Sequence, residues 1–489
     1  MTDISITKKN DVHIKVKCEP DIAQELHSHF SFDVPGAKFT PMYRNRVWDG
    51  QLHLFSLFTK EIYTGLKPYV KHFAEVNQYT YDDSEYAKTA DAVSIEKLKS
   101  FINDLNIPLK VRDYQIEAVY ESINDGRRLL LSPTGSGKSL IIYILLRWHQ
   151  QFERKQLIVV PTTSLVEQLY TDFQDYAKND TWQASYNCYR IYGTVSKTND
   201  MPVTISTWQS IHRLPKTFFS EFKAVYGDEC HLFKAKSLTT IMNKCYTTPY
   251  RIGTTGTLDG SKTHKLVLEG LFGQVYRTTT TKNLIETKQL ADLKIFGIIL
   301  KYSDEVRKAI KNFTYQQEMD FIVQYEQRNK FIRNLTLDQK GNTLVLFQFV
   351  EKHGKILNNM IQEKTKNRKV FFIYGGTETQ QRENARKITE GESDAIIIAS
   401  FGTFSTGINI KNLHNIIFAS PSKSRIRNLQ SIGRGLRIGS NKDKCKLFDI
   451  GDDLSWRSRK NYTLLHMVER IKIYADEDFD YVTTEVNIC

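Results

Sequence analysis

The chain has 489 residues, of which 40% are hydrophobic and 25% charged, so it divides into about three domains and is neither disordered nor collagen-like. Lys and Arg number 68 against 55 Asp and Glu, a net charge of +13 that points to a polyanionic partner or to nothing more than a soluble basic protein. Six cysteines without metal-like spacing, no signal peptide and no long apolar run predict a reducing, cytoplasmic setting with no membrane contact.

Residues 1–80 read as a small α+β accessory domain. Val12–Cys18 alternates as a strand does, and Asp21–Phe30 reads as a short helix. Asp49-Gly50 between two aromatic-rich runs signals a hairpin. From Lys38 to His72 there are six Lys/Arg against two acids, interleaved with Phe39, Tyr43, Trp48, Phe55, Phe58, Tyr63 and Tyr69. Such aromatics build a small sheet's core, or they stack unpaired bases while cations hold phosphates. Under the second reading this domain binds duplex or junction DNA through Arg44, Arg46 and Trp48. Residues 81–108 read as a polar linker followed by an amphipathic helix at Ser94–Leu105.

From Leu109 apolar strand-like runs alternate with helical patterns. Leu129–Leu131, Leu157–Val160, Val203–Ile205, Ala224–Tyr226 and Arg251–Gly253 form one series. After a pause near Leu290 come Ile295–Leu300, Thr343–Phe347, Val370–Ile373, Ala395–Ala399, Ile416–Ala419 and Lys446–Asp449. Repeated βα units predict parallel sheets. The expectation is two tandem α/β domains, residues 109–285 and 286–489, the second with C-terminal elements of unassigned role.

Ser132-Pro133-Thr134-Gly135-Ser136-Gly137-Lys138-Ser139 follows a strand and opens a helix. Glycines let backbone N–H groups curl around phosphate oxygens, and the helix N-terminus adds partial positive charge. Lys138 is placed to reach the β- and γ-phosphates of ATP and Ser139 to ligate Mg²⁺. Ser132 departs from the glycine of the strict pattern. Gly227-Asp228-Glu229-Cys230-His231 ends an apolar strand about ninety residues later. An adjacent carboxylate pair there suits Asp228 to the metal and Glu229 to the attacking water. Arg434 and Arg437, three apart on a helix predicted from Ser424 to Arg437, share one face with Gln430. From there both could stabilise charge on a transferring phosphoryl group.

With these motifs in order, residues 109–450 resemble a superfamily 2 helicase of the DExH type. Arg112-Asp113-Tyr114-Gln115 resembles the adenine-recognition element, with Gln115 reading the base. Val160–Gln168 and Ile205–Gln209 resemble the two backbone-contacting motifs of the first domain, which include Thr162 and Thr207. Thr255-Gly256-Thr257 stands at the coupling motif, where alanine is commoner in the middle. Leu344–Phe349, Ala399–Asn409 and Gln430–Arg437 resemble the motifs of the second domain. The whole chain, its N-terminal part included, is similar to a helicase of T-even phages.

The resemblance implies two tandem RecA-like domains closing on ATP, with His231, Thr255, Thr257 and Gln430 coupling the nucleotide to movement. It implies branched DNA as substrate: forks, Holliday junctions and R-loops, the last including RNA in hybrids, handled in the host-cell cytoplasm. Thr403 and Thr406 could hold phosphates. Nine Lys/Arg against one acid between Lys411 and Lys446 predict a positive rim. The motifs alone leave open an RNA helicase, or a nucleic-acid-gated ATPase serving a partner.

Overall fold

The computed structural model describes all residues except 1, 35, 87–90, 235, 366, 408, 409, 411, 438–441 and 489, and gives no side-chain placement for 234, 379, 380, 383, 405–407 and 426. Two compact units result, Met1–Ser132 with Gly137–Thr278, and Pro133–Ser136 with Thr279–Cys489.

In the N-terminal part, β1 (Ile4–Lys8), β2 (His13–Lys17), β5 (Phe55–Ser56), β6 (Glu61–Tyr63) and β7 (Tyr81–Asp82) form a sheet ordered β5-β6-β2-β1-β7. Only β7 runs parallel to its neighbour. Alternation buries Ile4, Ile6, Ile14 and Val16 against Leu26 of helix Pro20–His29 and Val70 of helix Lys67–Val76. A separate antiparallel pair, β3 (Ser31–Asp33) with β4 (Gln51–His53), carries the chain outward and back.

Asp49-Gly50 does not make a two-residue hairpin, because Ala37–Phe39 and Pro41–Arg44 are helical turns and β4 pairs with β3 instead. Asp49 Oδ1 accepts from Gln51 N at 3.0 Å, so the Asp-Gly pair forms a local turn that enters β4. The segment read as a linker includes β7, which closes the sheet's edge.

The rest of the first unit is a seven-stranded parallel sheet. Its strands are β8 (Arg127–Leu131), β9 (Gln156–Val160), β10 (Cys188–Ile191), β11 (Val203–Thr207), β12 (Ala224–Asp228), β13 (Tyr250–Thr255) and β14 (Val275–Arg277), ordered β10-β11-β9-β12-β13-β8-β14. β9, β11, β12 and β13 are buried throughout, as helices on both faces require. Helix Lys138–Gln150 is apolar around most of its circumference and is buried from Leu140 to Leu146.

The second unit holds another seven-stranded parallel sheet: β15 (Asp292–Lys301), β16 (Thr343–Phe347), β17 (Val370–Ile373), β18 (Ile396–Ser400), β19 (Asn415–Phe418), β20 (Lys444–Asp453) and β21 (Tyr481–Asn487), ordered β17-β18-β16-β19-β20-β15-β21. The C-terminal stretch supplies helix Tyr462–Asp476 and edge strand β21, which lies parallel to β15. Arg470 fastens that helix by a buried pair with Asp449 at 2.8 Å, and the Tyr474 hydroxyl donates to the same carboxylate at 2.7 Å. Two parallel sheets in tandem behind a small mixed α+β sheet are the expected architecture.

Candidate nucleotide and nucleic-acid site

Parallel strands end on one edge, and ligands of open α/β sheets bind outside those carboxyl ends. β8, β13 and β12 are neighbours in register, Leu131 opposite Thr255 and Asp228 opposite Thr254. The loop after β8, the Thr255 segment and the acidic box therefore share one edge.

Gly135 and Gly137 have φ of +88° and +81°, the left-handed backbone that a phosphate-cradling turn needs. A Cβ at Gly137 would strike Gln115 Nε2, so only glycine lets the loop lie against that amide. Gln115 is 2% exposed, and its Oε1 accepts from Arg112 N at 3.0 Å. Arg112 Nη1 donates to the Tyr114 hydroxyl at 2.9 Å. Ser132, which departs from glycine, has no positive φ and accepts from the Thr278 hydroxyl at 2.9 Å. Ser136 Oγ donates to Pro133 O at 2.7 Å and so shapes the turn from inside. Lys138 Nζ donates to Ser132 O at 3.2 Å, and Ser139 Oγ lies 2.8 Å from the Tyr176 hydroxyl. Thr134 is half-buried in the same loop.

Asp228 is buried, and its Oδ1 accepts from Thr254 Oγ1 at 2.8 Å and from Glu229 N at 2.9 Å. Both bonds fall on one oxygen, which leaves Oδ2 as the natural ligand for a cation. Burial and the adjacent Glu229 charge push this carboxyl up, and Lys138 offsets part of that. Glu229 takes φ +49°, a strained position for a side chain at a strand end. His231 Nδ1 lies 3.2 Å from Glu229 Oε2 and 3.0 Å from Thr255 Oγ1, and Thr255 Oγ1 donates to Thr257 O at 3.0 Å. The acidic box and the coupling segment are thus bonded within one unit.

The second unit places its candidates differently from the sequence expectation. The helix runs Arg425–Gly435, with Ser424 as its cap, so Arg434 lies on it and Arg437 lies beyond its end. The reason is local: Lys442 Nζ donates to the carbonyls of Gly435 and Arg437, drawing the chain out of helical continuation. Gln430 and both arginines are half-buried. Arg434 stands 5.9 Å from the Phe404 ring centroid.

The expected phosphate-holding threonines are less available than their motifs suggest. Thr207 and Thr403 are 5% and 6% exposed, with hydroxyls paired to Ser210 and Ser400. Thr162 caps helix Thr163–Tyr176 by accepting from Leu165 N at 3.3 Å. Thr163, Ser164, Gln168 and Gln209 are the exposed polar side chains within the two motifs of the first domain, and none of them was named as a contact from sequence. The side chain of Thr406, like Asn409 and Lys411, lies outside the described residues. The positive rim shrinks too, because Lys442 is 4% exposed and Arg425 pairs with Asp476 and Glu477. Lys423, Lys444 and Lys446 are exposed. In the N-terminal domain Arg44 and Arg46 are exposed, whereas Trp48 is half-buried with its indole N–H donating to Gln51 O at 2.7 Å.

Two parallel sheets bearing this ordered set of motifs define a superfamily 2 helicase. Three family profiles match: the UvsW DNA helicase N-terminal domain over residues 3–82, the res subunit of type III restriction enzymes over 108–260, and the helicase conserved C-terminal domain over 326–439. The ATP-dependent DNA helicase UvsW of Enterobacteria phage T4 is 34% identical over 99% of this chain and 100% of its own length. The DNA 3'-5' translocase XPB2 of Sulfurisphaera tokodaii is 25% identical over 70% of this chain and 83% of its own. The crystal structure of T4 UvsW superposes with a TM-score of 0.53 at 31% identity, covering 100% of both chains. The chain belongs to the UvsW family of ATP-dependent DNA helicases. It hydrolyses ATP and binds nucleic acid as members of that family do.

Proposed function

We propose that this helicase remodels branched DNA, acting on forks, Holliday junctions and R-loops by branch migration during recombination, repair and replication. The observation that carries the reading is the fixed N-terminal domain. The Tyr69 hydroxyl donates to buried Glu269 of the first motor domain at 2.7 Å, and Gly65 packs against the Glu269 carbonyl too closely for any side chain. A motor needs only its two sheets to run along a strand; an accessory domain fastened to one of them gives it a second grip on the same substrate.

ATP fits the loop of Pro133–Ser139, with Gln115 and Arg112 toward the base and Lys138 toward the terminal phosphates. Ser139 and Asp228 are the residues for Mg²⁺, an ion that takes few protein ligands beside substrate phosphates and water. When bound, the ion neutralises phosphate charge. Glu229 orients the attacking water and takes its proton, and His231 with Thr255 and Thr257 senses the change at the acidic box. Arg434 and Arg437 supply charge to the transferring phosphoryl group, and Gln430 joins the coupling set. Residues 1–80 serve as the DNA-binding accessory domain, 109–285 and 286–489 as the motor domains, and RNA enters only within hybrids.

The site of action is the host-cell cytoplasm. No described helix is long and apolar enough to cross a membrane, and the five described cysteines are free. Branch migration of a synthetic four-way DNA junction by the full chain, with ATP and with Lys138→Ala as control, tests the reading. Extensive strand exchange supports it, and junctions left intact while single-strand-stimulated hydrolysis persists refute it.

A further inference from the structure

Between β3 and β4 the N-terminal domain extends a projection, residues 36–50, whose frame is fixed from inside. Trp48 Nε1 holds Gln51 O, Val34 N donates to Gly50 O at 2.9 Å, and the Tyr43 ring lies over Gly50, at 2.8 Å from where a Cβ would stand. The outer surface of the projection is different. Phe39, Met42 and Val47 are 79%, 56% and 72% exposed. Lys38, Arg44 and Arg46 are exposed among them, and residues 36–48 contain no acid. The nearest acid, Asp49, is engaged by His53 Nε2 at 2.8 Å.

The end of the short helix Pro41–Arg44 brings two of these apolar residues together. Val47 N and Arg46 N donate to Met42 O and Tyr43 O at 2.9 and 3.0 Å, a helix-terminating pair of bonds that sets Val47 beside Met42. The left-handed residue of that motif is normally glycine, and here it is Arg46 at φ +56°. Single exposed apolar residues need no explanation, but three within nine residues, interleaved with three exposed cations, mark a contact surface. The complementary partner has an anionic rim and an apolar interior that opens. A base-pair stack flanked by phosphates is such a partner, and proteins that open DNA insert Phe, Met or similar wedges between bases.

We propose that this projection is a wedge that enters DNA at the branch point. Phe39, Met42 and Val47 press into or against the terminal base pair, and Lys38, Arg44 and Arg46 hold the flanking phosphates. This rests on the branched-DNA reading and adds to it the device that separates strands. Trp48, chosen from sequence, is the post that supports the wedge, because its ring is half-buried and its N–H already bonded.

The test uses the full chain on a four-way DNA junction with 2-aminopurine beside the branch, and on a linear duplex labelled at the matching position. Wild type is expected to raise the fluorescence at the branch only. The triple variant Phe39→Ser, Met42→Ser, Val47→Ser is expected to lose that rise and to slow branch migration about tenfold or more, the scale of one or two lost stacking contacts. An unchanged melting temperature shows that the variant is folded, and Phe39→Trp is expected to keep the signal. Wild type favouring the junction while the triple variant unstacks the reporter equally well overturns the wedge alone. Wild type treating junction and linear duplex alike overturns the branched-DNA reading and the wedge with it. A projection that binds anionic phospholipid vesicles and leaves the reporter silent also overturns the wedge.

Discussion

His264 Nε2 lies 2.8 Å from the carbonyl oxygen of His231, and a carbonyl only accepts, so the imidazole donates to the backbone of the acidic box. Its other nitrogen lies 2.8 Å from Asp259 Oδ1, just past the coupling segment. Helix Lys262–Phe272 carries His264 near its start and Glu269 five residues on, where the Tyr69 hydroxyl reaches it. One helix thus touches the nucleotide edge and the N-terminal domain about 7–8 Å apart along its axis.

Replacing His264 should therefore disturb catalysis through His231 without touching the phosphate loop. His264→Phe is expected to lower kcat of DNA-stimulated ATP hydrolysis about tenfold, with KM for ATP changed less than about twofold. Steady-state kinetics at saturating DNA check this, and a rise in KM with unchanged kcat would assign His264 to nucleotide binding instead.

Tyr69→Phe removes the donor to a carboxylate that is 2% exposed. A buried charged acceptor that loses a donor costs about 1–3 kcal/mol. Denaturant unfolding of the full chain should register that loss, and unwinding per ATP hydrolysed should fall more than hydrolysis itself.

Lys442 is almost fully buried and donates to the carbonyls of Gly435 and Arg437. Lys442→Met keeps the stem and removes the donors, freeing the segment that carries Arg437. Hydrolysis is expected to fall about tenfold at least, toward the level of Arg437→Ala, with nucleotide affinity little changed. Salt dependence of DNA binding should stay as in wild type, because this cation does not face solvent.

Acid should weaken the fold through His149. Burial and the nearby Arg154 guanidinium push its pKa down to about 3. Unfolded chains bind that proton near ~6.5, so the contribution is complete above that pH and is lost as pH falls from there toward 3. The slope is at most ~1.4 kcal/mol per pH unit for this group. Urea unfolding at pH 7.0, 6.0 and 5.0, taken as about one-unit steps, should show it, and His149→Gln should flatten it.

Most of the motor was legible because buried parallel strands read as continuous apolar runs and the phosphate loop has its own spacing. β10, β14 and β21 were not seen, since they are short or lie on sheet edges where no apolar run is required. Arg437 was placed on the helix because spacing carries no sign of a lysine five residues further on that pulls the chain away. Thr207 and Thr403 were read as phosphate-holding because sequence does not tell a hydroxyl facing phosphate from one satisfied by a neighbouring serine. In the projection, composition does not tell which apolar side chains are covered: Trp48 is half-buried with its N–H bonded to Gln51 O, whereas Phe39, Met42 and Val47 are exposed. His264 left no signal, since its partner is a backbone carbonyl thirty-three residues away.

The most direct measurement compares ATP hydrolysis by the full chain without nucleic acid and with single-stranded DNA, linear duplex, RNA and a four-way DNA junction, with Lys138→Ala alongside. Strongest stimulation is expected with the junction, abolished in the variant. Stimulation by RNA above every DNA form, or by no nucleic acid at all, would contradict it.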